Sequence, residues 1–134
     1  MILNSILFDT SVIIDHLRSY QPSTEFLETV VNSGTQAMVS TITEMELFAG
    51  KSMQNPTVLE KAENVLELFM VLPVTSEIAR HAGVLLREYR HQGLTPSDAL
   101  IASTALLYGA SLITRNIKHF RMIKNILAFD IPVD

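Results

Sequence analysis

The sequence predicts an α/β fold with a mainly parallel sheet and helices on both of its faces, and three observations predict it. Short apolar runs of strand length alternate with stretches whose apolar residues recur at helical spacing. The joints between them carry helix-starting Ser, Thr, Asp and Pro, and helix-stopping Gly. No repeat, low-complexity stretch or linker interrupts the 134 residues, so a single domain over 1–134 is expected.

The first strand is expected over Ile2–Phe8, an apolar run closed by Asp9-Thr10-Ser11. Ser11 suits the cap of a helix reaching about Ser19, and Gln21-Pro22 suits its end. A helix over Ser23–Asn32 stops at Gly34. Ala37-Met38-Val39 reads as a second strand, after which Ser40 or Thr41 opens a helix ending at Gly50. Pro56 fits the first turn of the next helix, which gathers Val58, Leu59, Ala62, Val65, Leu66 and Phe69 on one face. Val71–Val74 is a strand, and Ile78, Ala82, Leu85, Leu86 and Tyr89 stripe a long helix that Gly93 stops. Thr95-Pro96-Ser97-Asp98 starts a helix that is apolar nearly all round and so belongs at the centre. Ser111–Thr114 is a strand, Asn116–Lys124 a short helical piece, and Ile126–Phe129 a last strand. In such sheets polar chemistry gathers beyond the carboxyl ends of the strands, which nominates Asp9 and Thr114-Arg115-Asn116.

Composition excludes several classes. Apolar residues at 48% and charged residues at 18% describe a chain with a packed core, not a disordered one. The absence of cysteine removes disulfides, thiol catalysis and thiolate metal sites. The opening Met1–Asp9 lacks a basic region and meets an aspartate early, against a signal peptide, and Ala99–Ala110 is too short to span a bilayer. Cytoplasmic location, with no membrane partner, is therefore the expectation. The four histidines lack zinc spacing, and Gly50-Lys51-Ser52 lacks the first glycine of a phosphate loop.

Charge is unevenly spread. Residues 1–79 hold 3 basic and 10 acidic side chains, a net −7, whereas residues 80–134 hold 7 and 4, a net +3. Arg115, Lys118, Arg121 and Lys124 recur every third residue with no acid between them. Such a run is either a solvated helix face or a strip that contacts phosphates.

Taken singly, each candidate acid has an ordinary structural use. Asp9 leaves a strand for a helix, where aspartate caps. Thr95-x-x-Asp98 has the form of a capping box, although a carboxylate opening so apolar a helix sits where a bare charge is costly. Glu44 and Glu46, two apart, cannot share a helix face, and periodicity does not choose between them. Carboxylates that converge raise one another's pKa unless a cation lies among them, and magnesium fits such a site.

Four segments together resemble the PIN domain, specifically the VapC-type toxins of toxin–antitoxin pairs, over essentially the whole chain. Ile6-Leu7-Phe8-Asp9-Thr10-Ser11-Val12-Ile13-Ile14 resembles the family's first strand and its aspartate. Val39-Ser40-Thr41-Ile42-Thr43-Glu44-Met45-Glu46-Leu47-Phe48-Ala49-Gly50 resembles the second block, where the acid before Leu-x-x-Gly is functional, which favours Glu46. Asp98-Ala99-Leu100-Ile101-Ala102 resembles the third block, and Leu112-Ile113-Thr114-Arg115-Asn116 with His119-Phe120 the fourth. Many relatives carry a further aspartate near Asn116 or His119, but this chain has no acid from Ile113 to Phe129, which puts a second metal ion in doubt.

The resemblance implies a three-layer sandwich with about five strands, and endonucleolytic cleavage of RNA by a metal-activated water. It implies Mg2+ or Mn2+ held directly or through water by Asp9, Glu46 and Asp98, with Asn116, Thr114, Thr10 and Ser11 as auxiliaries. Arg115, Lys118, Arg121 and Lys124 would bind the RNA backbone. A homodimer and a small VapB-type antitoxin are implied as partners. The alternatives are a catalytically inert PIN-like module that binds RNA or protein, and a nuclease of RNA processing rather than a toxin. A haloacid-dehalogenase-type phosphatase would want an aspartate where Ser11 stands.

Overall fold

The computed structural model describes residues 5–132 and contains five short parallel strands. They are β1 (Ser5–Phe8), β2 (Gln36–Ser40), β3 (Met70–Leu72), β4 (Ser111–Ile113) and β5 (Ala128–Phe129), in the spatial order β3-β2-β1-β4-β5. Residues 2–4 of the expected first strand lie outside the described residues. Leu7 stands in register with Met38 on one side and Leu112 on the other, so β1 is the middle of the sheet. Strand order reverses at β1, and in sheets of this kind such a reversal leaves a crevice beyond the carboxyl ends of the two strands, here β1 and β4.

Two-residue alternation along each strand divides the core into two layers. Ile6, Phe8, Val39 and Ile113 point to one face, covered by α1 (Thr10–Leu17), α2 (Gln21–Asn32), α3 (Thr41–Phe48) and α4 (Pro56–Leu66). Leu7, Met38 and Leu112 point to the other, covered by α5 (Ser76–Tyr89) and α6 (Pro96–Tyr108). Phe8 is fully buried and meets Phe26 and Phe69 edge to face, at centroid distances of 6.1 and 5.3 Å. The result is the expected sandwich of a parallel sheet between two helical layers. Among the described residues no helix is long and apolar enough to cross a membrane.

Three local expectations are corrected. Asp9, not Ser11, caps α1, because the helix begins directly after the strand's last residue, and Asp9 Oδ1 accepts the Thr10 N–H at 2.9 Å. Gln21-Pro22 starts α2 rather than ending α1, since proline is tolerated in a first turn where its missing N–H is not needed. The chain leaves α1 through Ser19, held at φ +64°. The segment Asn116–Lys124 is not one helix: a single 3-10 turn over Ile117–His119 gives way to successive turns. Phe120 and Ile123 both bury against the α5–α6 face as the chain descends to begin β5, and that path overrides helical periodicity.

Helix α3 carries Glu46 and is seated by Ser40, whose buried hydroxyl accepts the Ile42 N–H at 3.1 Å. Ser40→Ala removes this cap and is expected to lower stability by about 1 kcal/mol, measured as a shift of the urea midpoint with unchanged slope.

Candidate active site

The crevice beyond β1 and β4 is built around the Asp9 carboxylate, which is 5% exposed. Position is fixed from the backbone: the Asp9 N–H donates to the Ile113 carbonyl at 2.8 Å, which continues the β1–β4 ladder by one step. Asp9 Oδ2 accepts two hydroxyls, from Ser11 at 2.8 Å and from Thr114 at 2.7 Å. Thr114 in turn accepts the Asn116 N–H at 2.9 Å, and Ser11 accepts the Arg115 N–H at 3.0 Å.

Thr10 faces α3. Its hydroxyl donates to Glu46 Oε1 at 2.6 Å and lies 2.9 Å from the Thr43 hydroxyl. A hydroxyl has one proton, so Thr43 donates to Thr10 and Thr10 to Glu46. Glu44, in the first turn of α3, has no such link. Thr43 is fully buried and belongs to this network, although the sequence reading does not place it there. Its signal is the spacing of three that sets it on the Glu46 side of the helix.

Asp98 enters from the first turn of α6, where the Thr95 hydroxyl caps the helix by accepting the Asp98 N–H at 3.2 Å. Burial pushes the Asp98 carboxyl above its ordinary value, and the charge of Asp9 pushes it the same way. The Thr95 hydrogen bond and the His119 imidazole pull it partly back. His119 Nδ1 lies 3.4 Å from Asp98 Oδ2. Metal-ligand spacing in the sequence gives no hint of His119; the fourth-block resemblance alone draws notice to its position.

The basic strip does not act as one unit. Lys118, Arg121 and Lys124 are exposed, whereas the Arg115 guanidinium is bound to Asp15 and Asp130 at 3.2 and 3.3 Å. Lys118 directly precedes His119 in the chain, and Lys124 lines a cavity of about 490 Å3 with Tyr89 and Leu106 on the α5–α6 face. The Asn116 side chain is exposed, and the residue joins the site through its main-chain N–H.

Among the described residues no three acidic or imidazole side chains form a ready cation cage. Two carboxylates, Asp9 and Asp98, repel one another there, and among the described residues neither is ion-paired to a lysine or arginine. That donor set fits a magnesium-like ion, which takes one or two carboxylates and keeps several waters.

The PIN domain family model matches residues 6–125. A ribonuclease named VapC19 from Mycobacterium tuberculosis is 34% identical over 122 residues, covering 90% of this chain and 95% of that protein. The structure of DNA-bound VapBC from Salmonella typhimurium superposes with a TM-score of 0.82 at 26% identity, covering 94% of this chain and 97% of the other. A toxin–antitoxin complex from Klebsiella pneumoniae superposes with a TM-score of 0.77 at 29% identity, covering 94% and 99%.

Proposed function

Because the chain belongs to the PIN-domain family, and within it to the VapC ribonucleases, we propose that it is an endoribonuclease and the toxin of a toxin–antitoxin pair, working as a single domain in the cytoplasm. The observation that carries the chemistry is the pair Asp9 and Asp98, two carboxylates close enough for the charge of one to act on the other, neither ion-paired to a lysine or arginine among the described residues. Crowded carboxylates are stable around a cation, and RNA phosphates bring more negative charge to the same place.

In this proposal Asp9, Asp98 and Glu46, the last engaged by the Thr10 hydroxyl, would hold Mg2+ or Mn2+ directly or through water. When bound, such an ion supplies neutralisation of charge growing on the phosphodiester and activation of an attacking water. The chain's own groups do the orienting. Ser11 and Thr114 fix Asp9, the Thr43–Thr10 pair fixes Glu46, and the Thr95 cap and His119 fix Asp98.

Lys118, Arg121 and Lys124 are proposed to hold the RNA backbone. Replacing all three with alanine is expected to weaken RNA association and to flatten its dependence on log salt by roughly 0.7 for each phosphate that is no longer neutralised. Filter binding at several salt concentrations measures this, and an unchanged slope would remove the strip from the proposal.

A VapB-type antitoxin is the proposed protein partner, supported by the two toxin–antitoxin neighbours. A cavity of about 320 Å3 beside Glu46, lined by Ile14, Leu17, Leu47, Met53 and Val58, offers an apolar recess for part of it. A homodimer is proposed as well, with exposed Met45 and Phe48 of α3 as apolar surface to cover. The deciding experiment is cleavage of a labelled, structured RNA panel by antitoxin-free protein in Mg2+, Mn2+ or EDTA. Cutting that needs the metal supports the reading, and cutting that persists in EDTA overturns it.

A further inference from the structure

Arg115 is the one residue of the basic strip that is tied down on every side. Its Nε lies 3.2 Å from Asp15 Oδ2, its Nη1 3.3 Å from Asp130 Oδ1, and its Nη2 3.3 Å from the Tyr20 hydroxyl. Its Cζ stacks 4.8 Å above the centre of the Tyr20 ring. These partners come from α1, from the chain after β5, and from the junction of α1 and α2. Only about a quarter of the side chain is exposed, at 26%. A guanidinium gripped by two carboxylates has little left to offer a phosphate.

What the grip holds in place is a main-chain N–H. The Arg115 N–H donates to Ser11 Oγ at 3.0 Å, and the Ser11 proton then goes to Asp9 Oδ2 at 2.8 Å. The next N–H, that of Asn116, does the same to Thr114, whose proton reaches the same oxygen at 2.7 Å. Two successive N–H groups thus orient two hydroxyls onto Oδ2. Thr114 is anchored independently, by its own N–H on the Phe129 carbonyl at 2.9 Å. Residue 115 lies past that last ladder bond, and to its N–H bond on Ser11 its side chain adds three anchors, on Asp15, Asp130 and Tyr20.

We propose that Arg115 is a positioning residue of the cation site, acting through Ser11 on Asp9 and not on RNA. The inference rests on the metal-nuclease reading above, and it is tested without RNA. Mn2+ binding to the purified full chain is followed by the electron paramagnetic resonance signal of the free ion.

Arg115→Gln and Ser11→Ala are each expected to weaken Mn2+ about tenfold, as loss of an outer-shell partner does. The double variant is expected to bind no more weakly than the weaker single one, because both act along one path. Arg115→Lys, which keeps one ion pair, should recover part of the affinity. Should Arg115→Gln fail to fold, Asp130→Asn loosens one arm of the grip at a partly exposed position. It is expected to weaken Mn2+ severalfold, with no further loss in the Ser11→Ala background. Unchanged affinity in the Arg115 and Asp130 variants, or losses that add in full to that of Ser11→Ala, would overturn the inference. Asp9→Asn is the control: if it binds Mn2+ like the unaltered protein, the metal reading itself falls and takes the inference with it.

Discussion

Asp9→Asn is expected to fold and to lose metal-dependent RNA cleavage by more than the roughly 10–100-fold that an outer-shell change costs. The substitution keeps an oxygen for the Thr10 N–H and the cap of α1, but places an amide where Oδ2 accepts the Ser11 and Thr114 hydroxyls. Both hydroxyls can turn, so the cost in stability is about 1 kcal/mol. Single-turnover cleavage with a labelled RNA, beside a thermal melt, separates the two effects. Cutting at an undiminished rate by the folded variant would show that the chemistry lies elsewhere.

Asp98→Asn is expected to lose activity to a similar extent and yet to melt at a higher temperature than the unaltered protein in EDTA at neutral pH. Burial and the charge of Asp9 raise the Asp98 pKa in the folded chain. A raised carboxyl favours folding while it is protonated, below its unfolded value of 3.8, and that contribution is lost as pH rises through the folded value. At neutral pH ionised Asp98 is therefore a strain on the metal-free fold, which the neutral amide relieves. The advantage should vanish in acid, where Asp98 is itself neutral, and shrink when Mg2+ or Mn2+ is added. A melt at neutral pH in EDTA that is unchanged or lower would contradict this account of the crevice.

Local sequence reveals much of the frame because the central strands β1 and β4 are buried on both sides. Ile6-Leu7-Phe8 and Leu112-Ile113 have no polar residue to break the run, and each ends at a residue the site uses. Caps such as Thr95 and Ser40 are legible for the same local reason, a side chain within three residues of the N–H it serves. The misplaced cap and the misplaced proline are errors of one or two residues at a boundary, whereas the largest misreading falls where distant contacts decide. The rhythm of Arg115, Lys118, Arg121 and Lys124 suggests one helical face, yet Phe120 and Ile123 draw the segment against the sheet layer.

Glu46 and Glu44 cannot be separated by periodicity, because the deciding partner, Thr10, lies 36 residues away. Resemblance to the family favours Glu46, and the hydrogen bond to Thr10 gives a physical reason for the choice. The Arg115 grip is invisible for a similar cause, since Asp15 lies 100 residues earlier. No windowed pattern holds such a pair.

The bond between Thr114 and Asp9 spans 105 residues, and β1 lies between β2 and β4 in the sheet. A chain emerging from the ribosome thus displays its first acid early and completes the crevice only after β4 has been made and has docked. Long-range parallel pairing of this kind is slow relative to helix formation. The order of the strands in the sheet therefore makes the Asp9 centre one of the last parts of the fold to come together, after β1 and β2 can already have paired.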